Sequence, residues 1–199
     1  MKVIIIIIAV IVAALIIFQS YTLMSANNTE EQKYTVVKSY KDFEIRFYPV
    51  ATIATTTSSA KTYKELSGPG FRALAGYIFG GNDAETKISM TSPVHMDIND
   101  SVSRMSFVTP LDYNETNLPK PNNPNVIIQK SADEYFAVIR FGGFASDQDM
   151  KLYSEKLQVL LEENGLTSSG HYRFLGYNPP FQLVGRRNEI IVSVNWQTK

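Results

Sequence analysis

The chain opens on Val3 to Phe18, VIIIIIAVIVAALIIF, an unbroken run without one polar side chain. Such a segment has to leave water, and a helix is the conformation that satisfies its backbone while it does so. Leu, Ile, Val and Phe near a helix centre each favour membrane insertion by about 0.3 to 0.6 kcal/mol, so the run favours it by several kcal/mol. At 1.5 Å per residue it spans about 24 Å, and about 33 Å if the helix continues to Met24. A bilayer core is about 30 Å thick. Residues 1–24 are therefore read as an uncleaved signal anchor, a transmembrane helix that contacts the membrane through residues 3–24, with Tyr21 near an interface. A cleavable signal peptide is the rival reading. Against it, Met24-Ser25-Ala26 is a poor cleavage site and there is no cysteine for lipid attachment. A buried helix is the third reading. Lys2 favours a cytoplasmic amino terminus. The domain is then expected outside the cytoplasm, on the periplasmic or extracellular side, or secreted if the segment is cleaved.

Residues 25–32 are polar and read as a linker, which leaves 33–197 as one domain. The whole chain has 19 basic and 19 acidic residues, a balance that gives no electrostatic footprint for nucleic acid. With no cysteine, disulfides, thiolate ligation of haem, covalent haem attachment and cysteine-held iron–sulfur clusters are excluded.

Strand-like composition covers Tyr34–Tyr40 and Phe43–Thr57, then 87–90, 93–98, 103–109, 125–130, 134–141, 171–177 and 188–196. Two helices interrupt these strands. The first has Ser67 as a candidate N-cap and Pro69 in its first turn, with a possible extra turn over 61–66. Its core face is Phe71, Leu74, Ala75 and Ile78, and Gly80-Gly81 ends it. In the second, Ser146 and Asp149 form a capping box. Met150, Tyr153, Leu157, Leu160 and Leu161 trace one face, and Gly165 stops it. The order repeats: Glu44-Ile-Arg-Phe47 precedes the first helix and Val138-Ile-Arg-Phe141 the second, and each helix is followed by a Pro-containing turn and a strand. The expected fold is α+β: a distorted antiparallel β-barrel flanked by two helices, with a pseudo-twofold internal repeat and the added N-terminal hydrophobic helix.

Few residues suggest chemistry. On a strand over 93–98, Val94, Met96 and Ile98 share one face, and His95 and Asp97 the other. His95 and His171 are the two histidines and the weak candidates for a metal; they lack zinc-ligand spacing. Carboxylate pairs lie at turns or on helix surfaces. Arg186-Arg187 is either a turn salt bridge or an anion clamp.

Several strings are too particular to be filler: Phe43-Glu-Ile-Arg-Phe-Tyr-Pro49, Phe71-Arg-Ala-Leu-Ala-Gly-Tyr-Ile-Phe-Gly-Gly-Asn82, Lys87-Ile-Ser-Met-Thr-Ser-Pro-Val94, Pro119-Lys-Pro121, Arg140-Phe-Gly-Gly-Phe144, Gly176-Tyr-Asn-Pro-Pro180 and Arg186-Arg-Asn-Glu189. Together, in this order, the chain resembles the SOUL haem-binding family over nearly the whole domain. The resemblance implies non-covalent binding of haem b or another porphyrin in an apolar surface groove beside the first helix. Matching positions are Phe71, Leu74 and Ile78, with Tyr77 nearby, and Arg186 and Arg187 for the propionates. Two departures stand out. The position of the proposed axial histidine of the animal SOUL protein is Phe47 here, which cannot ligate iron. Gly68-Pro69-Gly70 is expected to shorten the first helix and remove part of the groove wall.

The reading is a membrane-anchored haem or tetrapyrrole carrier or buffer, not an enzyme. The alternatives are a non-haem small-molecule sensor or interaction scaffold, and a haem-modifying enzyme using Tyr63, Tyr77, His95 or His171.

Overall fold

A computed structural model describes residues 2–197. Helix α1 (Lys2–Asn27) is followed by β1 (Glu30–Glu31), β2 (Thr35–Ser39), β3 (Glu44–Tyr48), β4 (Thr52–Ser58), α2 (Tyr63–Ile78), β5 (Thr91–Ser92), β6 (Val94–Asp97), β7 (Ser103–Val108), β8 (Val126–Lys130), β9 (Glu134–Phe141), α3 (Asp147–Glu163), β10 (Ser168–Gly176) and β11 (Asn188–Val194). Nine strands form one antiparallel sheet in the order β2-β3-β9-β11-β10-β6-β7-β4-β8. The fold is α+β as expected, but the sheet is open. Among the described residues no pairing joins β2 to β8, so the expected barrel does not close.

The sheet order has two related halves. In the first, β4, β7 and β6 are neighbours; in the second, β9, β11 and β10; and β6 pairs with β10 at the centre. Each half carries one helix, α2 between β4 and β6, and α3 between β9 and β10. The leading strands are exchanged: β3 pairs with β9 of the second half, and β8 with β4 of the first. Glu44-Ile-Arg-Phe47 and Val138-Ile-Arg-Phe141 are therefore not equivalents. They lie side by side, with Glu44 opposite Val138, and the topological partner of β9 is β4.

Both helices pack on one face of the sheet. There Ile45, Leu66, Leu74, Met105, Ile139, Leu157, Leu161 and Ile190 are at most 2% exposed and form the main core. The cap of α3 is as its sequence suggests: the Ser146 hydroxyl accepts from Asp149 N at 3.2 Å and donates to Asp149 Oδ2 at 2.6 Å. The N-cap of helix α2 lies five residues before Ser67, so the possible extra turn over 61–66 is part of the helix. Thr62 is its N-cap and accepts from Glu65 N at 3.2 Å, while Glu65 Oε2 accepts from Lys61 N at 2.8 Å. Helix α2 runs through Pro69 and is not shortened. Proline removes the bond to the Glu65 carbonyl, but Pro69 and Glu65 both lie on the solvent side, where water can serve that oxygen. Gly70 faces inward, where an added Cβ would come within 3.1 Å of Met105. Pro49 divides the long strand expected over 43–57 into β3 and β4, as its missing N–H demands. Residues 87–90, expected as a strand, contribute only a bridge between Lys87 and Phe79.

The end of α2 is a Schellman turn. Gly80 has φ of 111°, its N–H reaches Tyr77 O at 3.4 Å, and Gly81 N reaches Gly76 O at 2.8 Å. Buried Asn82 clamps it, donating to Tyr77 O and Thr86 O and accepting from Thr86 N. A Cβ on Gly81 would sit 2.5 Å from the Gly76 carbonyl oxygen, whereas one on Gly76 would meet nothing within 4 Å. Gly76→Ala should therefore raise stability by about 0.5–1 kcal/mol, the ordinary gain for an exposed helix interior. Gly81→Ala should lower it. Urea denaturation followed by circular dichroism checks the opposite signs.

Candidate functional site

Three regions could take part in binding: the outer side of α2, a cleft under α3, and a charged cluster on the sheet face opposite the helices.

Of the groove residues expected on α2, Leu74, Tyr77 and Ile78 are 0%, 1% and 3% exposed and belong to the core. The Tyr77 hydroxyl donates to Pro119 O at 3.0 Å, and burial pushes its pKa up to about 12. Phe71 is 37% exposed and leans on Phe107, ring centroids 5.4 Å apart. The side α2 shows to solvent carries Gly68, Arg72, Gly76 and Phe79 instead. It is low because two of these have no side chain.

The cleft lies between α3 and strands β6 and β10, with a volume of about 340 Å³. Met96, Ile98, Met150, Phe174 and Ile190 give it apolar walls, and Asp147, Lys151, Ser154, His171 and Tyr172 complete its lining. Its volume is at the small end of the range of about 300–1,000 Å³ seen for ligand pockets. His171 is exposed, and the Tyr172 hydroxyl is buried without a hydrogen-bond partner among the described residues. His171, Met96 and Met150 thus come together here, although nothing in their spacing indicated it.

His95 is elsewhere. It lies on the opposite face from Met96, half-buried, and its Nε2 meets Gln32 Oε1 at 2.7 Å. Asp97 approaches Arg104 rather than His95, at 3.9 Å. Burial, and then the nearby Arg173 guanidinium, hold the His95 pKa down to about 3. Phe47 is half-buried against Tyr135, ring centroids 5.0 Å apart.

The charged cluster centres on Glu189, which is 0% exposed. One carboxylate oxygen receives Arg46 at 2.9 Å and the Tyr177 hydroxyl at 2.8 Å; the other receives the Arg187 guanidinium at 2.9 and 3.0 Å. Arg46 also binds Glu44 at 2.7 Å and lies 4.3 Å from the centre of the Tyr34 ring. Arg187 covers the Tyr177 ring at 3.7 Å and reaches Glu31 at 3.0 Å. Burial is the largest single influence and opposes charge on both arginines, but Glu189, Tyr48 and Glu44 around Arg46, and Tyr177, Glu189 and Glu31 around Arg187, together outweigh it and raise both pKa values. Burial, then the Glu189 carboxylate, raises that of Tyr177. Alternation could not reveal this layer, because Arg46 and Glu189 read as the wet side of their strands.

Arg187 is therefore fully engaged. Arg186 turns back on its own loop, donating to Pro179 O at 2.7 Å and Gln182 O at 2.8 Å. The Arg186 Nε is buried without a hydrogen-bond partner among the described residues, and Arg187 makes a turn salt bridge with Glu189. Among the described residues no group of three His, Cys, Asp or Glu side chains could hold a metal ion.

The domain is thus a two-helix, antiparallel α+β fold with an internal repeat and a small cleft. The SOUL heme-binding protein family matches residues 29–193, which is the whole folded domain, and the chain belongs to that family. Heme-binding protein 1 of Xenopus laevis is 30% identical over 165 residues, covering 78% of this chain and 86% of the relative. Heme-binding protein 2 of Homo sapiens is 30% identical over 166 residues, covering 79% and 80%. The fold also matches the C-terminal domain of EcmrR, with a TM-score of 0.58 and 11% identity over 82% of this chain and 99% of that one. A structure described as a hydrolase from Listeria innocua matches with a TM-score of 0.55 and 10% identity over 80% and 94%. At these identities the two structures share the fold alone.

Glu189→Gln should destabilise the domain by about 3–5 kcal/mol, because it removes the one buried charge that Arg46 and Arg187 share and leaves each with only its more exposed partner, Glu44 or Glu31. Glu115→Gln, which breaks the exposed pair with Lys130 at 3.6 Å, should change stability by less than about 1 kcal/mol. Guanidinium denaturation of the two variants makes the comparison. His95 has its own pH signature. Its folded pKa lies below the ordinary 6.5, so the unfolded chain binds more protons between those values and stability falls as pH drops from 6.5 towards 3. Thermal melts of His95→Gln across that range should show a shallower decline than the native protein.

Proposed function

We propose that the protein binds haem or another tetrapyrrole non-covalently, as a carrier or buffer held at a membrane by α1. The observation that carries the ligand class is the family match across the entire folded domain. The residues present fit such a ligand. The cleft under α3 offers an imidazole and two thioethers, from His171, Met96 and Met150, and both donor types serve as axial ligands to haem iron. Its apolar walls suit the edge of a macrocycle, and at about 340 Å³ it would leave part of one in solvent. Bound haem would supply redox-active iron; the chain's part is to hold and partly shield it. The low outer side of α2, with Arg72 for a propionate, is the second surface that could receive a flat ring. A carrier needs no acid, base or nucleophile; the Tyr77 hydroxyl is bonded to Pro119 O and the His95 ring to Gln32.

Support for anchoring is that α1 is 26 residues long and none of its apolar window is buried against protein. The domain is then on the far side of the membrane from Lys2.

A haem titration of the full chain in detergent tests the reading. We expect a saturable Soret shift, weakened at least tenfold by His171→Ala if the cleft holds the ring, or by Gly76→Glu if α2 does. Unshifted haem at saturating protein would overturn the proposal and favour a sensor or scaffold.

A further inference from the structure

We infer that the loop Pro179–Gly185 is a second membrane-contacting element, seated at the boundary between lipid headgroups and acyl chains beside the exit of α1. This rests on the reading of α1 as a membrane-spanning helix.

Depth follows from α1. A core of about 30 Å accommodates about 20 residues at 1.5 Å each, so a span that begins at Val3 ends near Thr22. The loop docks at that level. Gln19 Nε2 donates to Phe181 O at 3.1 Å, and Gln19 Oε1 accepts from Leu183 N at 2.9 Å. The rings of Phe18 and Phe181 lie 6.0 Å apart, and Leu23 lies 3.3 Å from where a Cβ on Gly185 would be. Thr22, beside these residues, is 2% exposed.

Beyond its contacts with α1 the loop leaves Phe181, Leu183 and Val184 51%, 57% and 55% exposed. From Asn178 to Gly185 it carries no charge. Exposed apolar side chains alone would be ordinary, but most of this loop's carbonyls are also taken up by side chains. Arg186 serves the carbonyls of Pro179 and Gln182 and, at 3.5 Å, that of Asn178. Gln182, itself 1% exposed, serves Val184 O at 2.9 Å, and Gln19 serves Phe181 O. Pro179 and Pro180 have no N–H to satisfy. Pairing these carbonyls lowers the cost of moving the loop out of water, and at the headgroup boundary its remaining backbone groups still meet water. Absence of charge, exposed apolar side chains and depth beside α1 agree on one occupant, the bilayer that α1 crosses.

The chain has no cysteine, so single Cys substitutions carry a nitroxide without further changes. The full chain would be reconstituted in phosphatidylcholine–phosphatidylglycerol vesicles and labelled at Val184→Cys, or independently at Leu183→Cys. Ile11→Cys serves as the mid-helix reference, and Val159→Cys, on α3, as the aqueous reference. Collisions with oxygen and with a water-soluble nickel chelate report depth. The expected result is loss of nickel collisions and a rise in oxygen collisions at 183 and 184, to a shallower depth than at 11, with 159 in water. If 11 is in lipid while 183 and 184 collide with nickel as 159 does, α1 is an anchor and the loop proposal is overturned. If 11 is also in water, the anchor reading fails and the loop proposal falls with it.

Discussion

One carboxylate holds the sheet face opposite the helices together. Glu189 is buried on β11, yet its partners come from β3, from the segment after β10, and from the start of its own strand. Through Arg187 it also fixes Glu31 of β1, the first strand after α1. Burying three charges costs several kcal/mol for each ion. The arrangement survives because both oxygens are hydrogen-bonded and both guanidinium groups lie over tyrosine rings. Around it Phe136, Val138, Leu175 and Ile191 close a small second core.

The strings that mark the family are mostly occupied with folding. Gly80-Gly81-Asn82 stops α2, and Pro119-Lys-Pro121 braces that stop through Tyr77 and Asn82. Asn178 joins its loop to the next strand by accepting from Arg187 N at 2.6 Å, and Asn188 secures Gly143 O at 2.8 Å. Resemblance in these strings therefore carries the architecture securely and says less about where a ligand touches. The candidate cleft draws on Met150, Lys151, Ser154 and His171, none of which lies in a quoted string.

Much of the fold was legible because local chemistry and tertiary packing agree there. Ser146 with Asp149, and the Leu157–Leu161 stripe, required no knowledge of the partner surface. Thr62-x-x-Glu65 was equally readable as a cap, but Ser67 and Pro69 drew attention to the wrong turn. Strand pairing was not legible: nothing local shows that Glu44-Ile-Arg-Phe47 lies beside its look-alike on β9. The site was less legible still. Periodicity sorts side chains into wet and dry, and it cannot show that Arg46 and Glu189 are dry because they have each other. Nor can it show that Gln19, in an apolar helix, is spoken for by a loop far along the chain.

The exchange of leading strands sets the order in which the chain can mature. β3 remains without its partner β9 until residue 141 has been made, and β11, the last strand, lies between β9 and β10 near the middle of the sheet. Contacts of such long separation form slowly. The domain consequently consolidates only after synthesis is nearly complete, when its amino terminus is already committed to α1. Until then the open edges of β3 and β9 must be kept from pairing with other chains, so the interval most open to misassociation falls late in synthesis, just before β11 is complete.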